Sequence, residues 1–213
     1  MSAAYGSAAY WQSRYLRDNG VYEWYQVPAD ALAPLLMSAL PAPRAGGAAV
    51  VLGCGTSALA AWLAAAGWSR VTGVDWAPAA VAAQLARHGG GGESALRWLL
   101  ADVCAAPGTG LPAGAHAAVL DKGTLDCVLC GEAAAARAAA MLAEAHRLLE
   151  PGGVFVCVSH APPEARLALF AQPVGAQQAP WDVIAHALPK PTIGGVPAPG
   201  GDELHYVYVA RKV

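Results

Sequence analysis

Short, mostly apolar runs recur along the first 160 positions and predict buried β-strands. Each run is rich in Val, Leu or Ala and is bounded by glycine or polar residues, a pattern typical of strands covered on both faces. The five runs are 48–53, 70–75, 96–101, 115–120 and 154–159. Strands of this kind belong to a mostly parallel sheet.

Alanine- and leucine-rich stretches separate these strands and predict helices at 57–66, 78–88 and 131–150. Apolar residues spaced three or four apart form a stripe along the third helix, at Met141, Leu142, Ala145, Leu148 and Leu149. A Pro-Gly-Gly turn at 151–153 then leads into the fifth strand. This alternation predicts a doubly wound α/β fold with right-handed crossovers.

The C-terminal part of the chain has a different pattern. Residues 161–201 are rich in Pro and Gly, with a sixth strand predicted at 181–187. The β-branched and aromatic run 205–211 predicts a seventh strand. Two late strands joined by a long loop are expected to form an antiparallel hairpin at the sheet edge, so the last strand is antiparallel.

Length and composition narrow the class of protein. A chain of 213 residues favours one domain over 1–213, divided into a lead-in at 1–47, a core at 48–160 and a strand pair at 161–213. No apolar stretch approaches the ~18 residues that a membrane-spanning helix needs. A formal net charge of -2 and a pI of about 6.3 argue against a nucleic-acid partner.

Cysteine usage favours a reducing compartment. Five cysteines are scattered through apolar segments, an odd number that does not suit a secreted disulfide framework. Cys127 and Cys130 have CxxC spacing, but no second pair accompanies them, so buried thiols are favoured and no metal site is predicted. No basic segment followed by an apolar one begins the chain, which predicts a cytoplasmic protein. An organelle transit peptide is the alternative, because Ala, Ser and Arg occur early.

Polar or glycine residues stand at the carboxyl end of each of the first five predicted strands. They are Gly53, Asp75, Asp102, Asp121 and Ser159. Singly, each aspartate is more typical of a turn or a helix cap. Together they predict a ligand site, since ligands of open α/β sheets bind outside the carboxyl ends of the strands.

The turn after the first strand predicts a nucleotide site. Gly53 and Gly55 let the backbone approach a ligand closely, and the following helix offers unpaired N–H groups. Asp75 follows Gly53 by 22 positions, where a carboxylate can accept hydrogen bonds from ribose hydroxyls. These features fit both a nicotinamide dinucleotide and S-adenosylmethionine.

Neighbouring residues favour S-adenosylmethionine. Trp76 can lay its ring on adenine, and Asp102 or the backbone of Val103 can read the adenine edge. A dehydrogenase would need a second mononucleotide-binding half or a catalytic domain, for which the chain is short.

Several motifs resemble those of one methyltransferase-like family, the family that contains the elongation factor 1A lysine methyltransferases. They lie at 10–15, 22–25, 52–58, 74–76 and 121–126, the last reading Asp-Lys-Gly-Thr-Leu-Asp. The likeness runs from about Tyr10 to Ser159. It implies a class I S-adenosylmethionine-dependent methyltransferase fold with a seven-stranded sheet.

The resemblance also implies a set of cofactor-binding residues, with S-adenosylmethionine as the cofactor. The set comprises Trp11, Tyr15, Trp24, Gly53, Gly55, Asp75, Trp76, Asp102, Val103 and Lys122. From the residues alone, a hydrophobic lid packed on the sheet is the favoured interpretation of Trp11, Tyr15 and Trp24. Lys122 equally fits a surface lysine, or a partner of Asp121 or of the cofactor's carboxylate.

The function implied is methylation of a protein lysine, with elongation factor 1A as the expected substrate. Asp121 is the candidate residue for aligning the lysine amine, and no dedicated base is required if the proton leaves to solvent before attack. The alternatives are a methyltransferase of another protein or of a small molecule, and an NAD(P)-dependent oxidoreductase. The sequence departs from the family at His160, where a small or hydroxyl residue is more usual, at 131–139 and at 188–201.

Overall fold

One seven-stranded sheet organises the protein. The computed structural model describes the chain except residues 1–2, 26–29, 44–45, 90–91, 93, 106–107, 175–179 and 191–203. The strands are β1 Ala48–Leu52, β2 Arg70–Asp75, β3 Leu96–Leu100, β4 His116–Lys122, β5 Leu149–Ser159, β6 Trp181–Pro189 and β7 Leu204–Lys212. All seven predicted strands are present, and β5 is longer than predicted because it begins before the Pro-Gly-Gly segment.

The described helices surround this sheet. They are α1 Ala8–Arg17, α2 Leu32–Ala39, α3 Leu59–Ala65, α4 Pro78–His88, α5 Thr124–Val128, α6 Ala134–Leu148 and α7 Pro163–Phe170, with a short 3-10 helix at Ala3–Gly6 before them. Three of these match predicted helices, and α6 ends two residues earlier than predicted because its last turn gives way to β5. Helices α1, α2, α5 and α7 were not predicted.

The strand order is β3-β2-β1-β4-β5-β7-β6. The pairs among β1 to β5 are parallel, whereas β7 runs antiparallel between β5 and β6. The chain reverses its direction of strand addition between β1 and β4, and a crevice forms at the carboxyl ends on either side of such a switch. The predicted fold class, including the late antiparallel hairpin, is confirmed.

Helices bury both faces of the sheet. One face packs mainly against α5, α6 and α7 around Phe155 and Met141, and the other packs against α2 and α3 around Leu36 and Leu63. All residues of β1 and β4 are buried, which explains the continuous apolar sequence of β1 and of residues 117–120 in β4. A third cluster joins Trp11 of α1 to the start of α4 and places the N-terminal segment at the carboxyl edge of the sheet.

Two predicted connectors fall largely outside the described residues. Most of the loop between β6 and β7 lies within 191–203, and the centre of the glycine run 89–92 lies at 90–91. In the described part of the chain, no helix combines the length and apolar character needed to cross a membrane.

Candidate functional site

A solvent-open cavity of about 600 Å³ lies at the carboxyl ends of β1 to β4, covered by the N-terminal segment. Nine of the ten predicted cofactor residues line it: Trp11, Tyr15, Trp24, Gly53, Asp75, Trp76, Asp102, Val103 and Lys122. Gly55 lines a smaller neighbouring cavity together with Thr56 and Ser57. The fold therefore brings together residues that are more than 100 positions apart in sequence.

The turn after β1 accepts only glycine at two positions. Gly53 has a φ of +60°, and a Cβ placed on it would lie 2.1 Å from Thr124 Oγ1. Gly55 has a φ of +49°, and its Cβ would lie 2.6 Å from Tyr15 Oη. Thr124 is fixed by the 3.0 Å hydrogen bond that its hydroxyl donates to Leu52 O. The backbone of this turn therefore lies against Thr124 on one side and against Tyr15 of the N-terminal segment on the other.

Asp75 joins this turn to the start of α4. Its Oδ2 accepts a 2.8 Å hydrogen bond from Gly55 N, and its Oδ1 accepts one of 2.8 Å from Ala77 N. Burial raises the pKa of Asp75 to about 6, although the two backbone hydrogen bonds oppose the rise. The carboxyl group therefore reaches the cavity in a fixed orientation with its charge only weakly stabilised.

Trp76 and Asp102 both contact Arg137, a cavity residue that the sequence did not identify. Arg137 of α6 places Nη2 3.1 Å from both carboxylate oxygens of Asp102. Its Cζ lies 5.3 Å from the centroid of the Trp76 ring. An arginine within an alanine-rich stretch of helix carries no motif, so only the fold reveals this contact.

Aromatic rings from the N-terminal segment form the cover. Trp11 and Tyr15 are four residues apart, share one face of α1 and stack with ring centroids 5.7 Å apart. Trp24 meets Trp11 edge-on at 6.0 Å, and the Trp11 indole N–H donates a 2.7 Å hydrogen bond to Tyr5 O. Tyr5 also lines the cavity and was not predicted. The segment is therefore both a packed lid and a cavity wall.

Lys122 forms an ion pair with Glu23, a partner that the sequence did not identify. Its Nζ lies 2.7 Å from Glu23 Oε2 and donates a 2.8 Å hydrogen bond to Trp24 O. Glu23 also accepts hydrogen bonds from Ala58 N at 2.7 Å and Ser57 Oγ at 2.8 Å, at the start of α3. The Lys122–Glu23 ion pair thus connects the cover, the glycine turn and β4, while the lysine still lines the cavity.

The Asp121 side chain does not line the cavity, whereas its predicted role requires contact with the substrate lysine. Its side chain is fully buried and is absent from the cavity wall. Its Oδ1 accepts a 2.8 Å hydrogen bond from Thr124 N, and its Oδ2 accepts one of 3.1 Å from Cys157 Sγ. Burial raises the pKa of Asp121 to about 6. A carboxyl group enclosed in this way caps α5 and cannot reach a lysine amine in the cavity, which argues against the predicted substrate-side role.

The cysteine pair shows no metal-binding arrangement. Cys127 lines the cavity, and Cys130 Sγ donates a 3.2 Å hydrogen bond to Asp126 O. Burial raises the pKa of Cys127, so its thiol is a poor nucleophile. Within the described ranges, no group of three His, Cys, Asp or Glu side chains could hold a metal ion.

The residues present fit an adenosyl sulfonium cofactor. Asp75 and Asp102 offer carboxylates at the ends of β2 and β3, and aromatic faces suit a cationic sulfur. In addition, the buried Thr56 hydroxyl beside the glycine turn makes no hydrogen bond with any described residue. An unpaired buried hydroxyl is costly unless a ligand satisfies it, so the glycine turn is suited to hold a polar group.

Comparison with known proteins agrees with this geometry. The family model described as a methyltransferase domain matches residues 50–157. EEF1A lysine methyltransferase 4 of Mus musculus is 37% identical over 178 residues, covering 79% of this chain and 66% of the relative. The Bos taurus protein of the same name is 35% identical over 184 residues, covering 80% of this chain and 68% of the relative. The chain thus spans about two thirds of the length of these relatives.

Solved structures share the fold. Magnesium protoporphyrin IX methyltransferase of Synechocystis, crystallised with bound S-adenosylmethionine, superposes with a TM-score of 0.65 at 14% identity, covering 100% of this chain and 98% of that chain. At this identity the likeness concerns the architecture alone. The matched domain, the identity to its curated relatives and the cavity lead to one conclusion: this chain belongs to the methyltransferase-domain family that includes the EEF1A lysine methyltransferases, and its cofactor is S-adenosylmethionine.

Proposed function

We propose that the protein is a protein-lysine N-methyltransferase that acts on translation elongation factor 1A. The observation that carries this proposal is the match to two proteins named EEF1A lysine methyltransferase 4 over about four fifths of the chain. The cavity supports it, since the matched region supplies the glycine turn and the carboxylates that face the cavity. The five free cysteines are consistent with a reducing compartment such as the cytoplasm.

Six of the predicted cofactor residues contact the ribose, the adenine or the amino-acid part of the cofactor in this proposal. Asp75 accepts hydrogen bonds from the ribose, while Asp102 and Val103 read the adenine next to Trp76. The backbone at Gly53 and Gly55 lies against the amino-acid end of the cofactor. When bound, the cofactor supplies a methyl group on a positively charged sulfur.

The aromatic cover has two further effects. Trp11, Tyr15 and Trp24 keep water away from the methyl group, and their faces favour a cation over a neutral product. A lysine amine must be neutral to attack, which costs about 4 kcal/mol at about pH 7.4 from an ordinary pKa of about 10.4. A nearby cationic sulfur and the loss of water both lower that cost, because both disfavour the ammonium form.

Labelling tests the substrate. The protein is incubated with S-adenosylmethionine carrying a labelled methyl group and with a cell extract, and labelled species are identified by mass spectrometry. A labelled lysine in elongation factor 1A is expected, with no label when Gly53 is replaced by alanine. Label on another protein or on a small molecule would instead support the corresponding alternative function.

A further inference from the structure

A hydrogen-bonded cluster centred on Asp126 of α5 lies next to the cavity. Asp126 Oδ2 accepts hydrogen bonds from Tyr25 Oη at 2.6 Å and from His160 Nδ1 at 2.8 Å. Its Oδ1 accepts from Ser159 Oγ at 2.6 Å and pairs with Arg166 Nη2. Burial alone would raise the pKa of Asp126, but the hydrogen bonds and the Arg166 charge hold it well below its usual range. The carboxylate is therefore ionised and acts only as an acceptor.

This environment determines which nitrogen of His160 carries the proton. An ionised Asp126 requires a donor, so Nδ1 carries a hydrogen. Tyr25 does not change this, because burial raises the pKa of its hydroxyl and keeps it a donor to Asp126. With Nδ1 protonated in the neutral ring, Nε2 presents a lone pair. No described residue hydrogen-bonds to Nε2, and the His160 side chain is 43% exposed while that of Asp126 is 0% exposed.

The cluster forms the outer side of the cavity wall at the ends of β4 and β5. Tyr25 follows the cavity residue Trp24, and its Cε2 lies 3.2 Å from the place of a Cβ on Gly123, another cavity residue. Gly123 N donates a 3.0 Å hydrogen bond to Val158 O, two residues before His160. His160 therefore lies directly after β5, beside the wall of the cavity, with its side chain partly exposed to solvent.

We propose that His160 is a catalytic residue whose Nε2 accepts the proton of the substrate lysine, with Asp126 as its positioning residue. In this step the N–H bond of the ammonium breaks, the proton bonds to Nε2, and the amine keeps the electron pair. That pair then bonds to the methyl carbon while the carbon–sulfur bond breaks and its electrons go to the sulfur, which leaves as a neutral thioether. Asp126 stabilises the imidazolium that forms. The partly exposed ring then releases the proton from Nε2 to solvent. The inference rests on the proposed lysine methylation.

A base at this place raises the fraction of substrate lysine that is neutral and able to attack. At about pH 7.4 only about one free lysine in 10³ is neutral. Proton loss to solvent alone leaves this fraction small, whereas the fold places a partly exposed imidazole, oriented by Asp126, beside the cavity wall.

The experiment separates a base from a packing residue. Single-turnover methyl transfer to purified elongation factor 1A is measured for the wild type, His160→Asn, His160→Ala and the control His186→Asn, an exposed histidine of β6. Asparagine keeps an N–H near the position of Nδ1 but has no atom equivalent to Nε2. S-adenosylhomocysteine affinity is measured for every variant, and added imidazole is tested as a replacement base.

We expect His160→Asn to lower the rate about 10²-fold with unchanged cofactor affinity and KM. Imidazole should accelerate His160→Ala, which leaves space for it, and not the wild type or His186→Asn. A His160→Asn rate within twofold of wild type, or no response of His160→Ala to imidazole, overturns the inference alone. A wild-type protein that binds cofactor but methylates no lysine overturns the proposed function, and the inference with it.

Discussion

Gly53 is a residue at which a single methyl group should disable the site. Its φ of +60° costs an L-residue about 1–2 kcal/mol, and its Cβ would meet Thr124 Oγ1 at 2.1 Å. Gly46 has a similar φ of +75° with no atom within 4 Å of its Cβ position. We expect Gly53→Ala to weaken S-adenosylhomocysteine binding at least about tenfold, a loss of about 1.4 kcal/mol. Gly46→Ala should lose stability but retain the affinity, and calorimetry on both variants would refute the prediction if they bound equally.

Asp75 should make cofactor binding depend on pH. In the cofactor-free protein its pKa is about 6, whereas ribose hydroxyls that donate to it favour the ionised form. Binding therefore releases a proton below this value, and affinity should fall by up to about tenfold per pH unit below about pH 6 and stay constant above about pH 7. The folded-state pKa of Asp75 lies above the unfolded value of 3.8. The stability that protonated Asp75 contributes to the cofactor-free protein is therefore lost as the pH rises from 3.8 to about 6.

Calorimetric titration from about pH 5 to about pH 8 checks this dependence. Asp75→Asn cannot ionise and should bind more weakly with a flat profile. Asp121 has its pKa raised to a similar value but lies outside the cavity, so Asp121→Asn should retain the wild-type slope. A flat wild-type profile would contradict the role of Asp75.

At the scale of elements, an ion pair helps to attach the N-terminal segment. The side chains of Lys122 and Glu23 are 3% and 13% exposed, so removing either charge leaves the other largely buried without an opposite charge. We expect Glu23→Gln and Lys122→Met each to cost about 3–5 kcal/mol of unfolding free energy. The double variant should cost less than the sum by about 1–3 kcal/mol.

Urea denaturation of the four proteins measures this coupling. Asp182→Asn on β6 removes an exposed carboxylate and serves as the control, with an expected change within about 0.5 kcal/mol. Strictly additive losses for Glu23 and Lys122 would show that the two side chains do not stabilise each other.

The elements found from the sequence are those with a strong local signal. Strand β1 and residues 117–120 of β4 are apolar runs buried on both faces, and α4 begins at Pro78 and ends before Gly89. By contrast, α5 has five residues, too few to show a helical period, and a cap from Asp121 stabilises it. The helix α7 lies in a stretch dominated by Pro and Gly, although Pro163 in its first turn is a start signal that was available.

The site residues, too, could be predicted only where the sequence carries a strong local signal. Residues at the carboxyl ends of strands were predictable, because parallel strands bring those ends to one edge. Glu23, Arg137 and His160 act through partners that lie 34 to 99 positions away, and no spacing rule reveals such contacts. Asp121 shows the converse error, since a position at a strand end does not say whether the side chain points into the cavity or beneath it.

At the scale of the molecule, the cavity lies between the carboxyl edge of the sheet and the N-terminal segment that covers it. The aromatic cover rests on α4 and on the ion pair with β4, not within the two main cores. Binding at this boundary should therefore stabilise the whole chain, because the ligand contacts both parts only when both are folded. This linkage gives a test that requires no knowledge of the substrate.

S-adenosylhomocysteine at 100 times its Kd should stabilise the protein by about 2.7 kcal/mol. For a chain of this length, that corresponds to a rise in Tm of about 5–10 °C. NAD should give no rise, because the cavity ends at the aromatic cover and the chain has no second nucleotide-binding half in its described sheet. Thermal unfolding with each ligand, repeated on Gly53→Ala and Gly46→Ala, distinguishes the two cofactors. A rise with NAD and none with S-adenosylhomocysteine would contradict the cofactor assignment. A rise with S-adenosylhomocysteine that Gly53→Ala lowers by about half or more and Gly46→Ala retains would locate binding at the glycine turn.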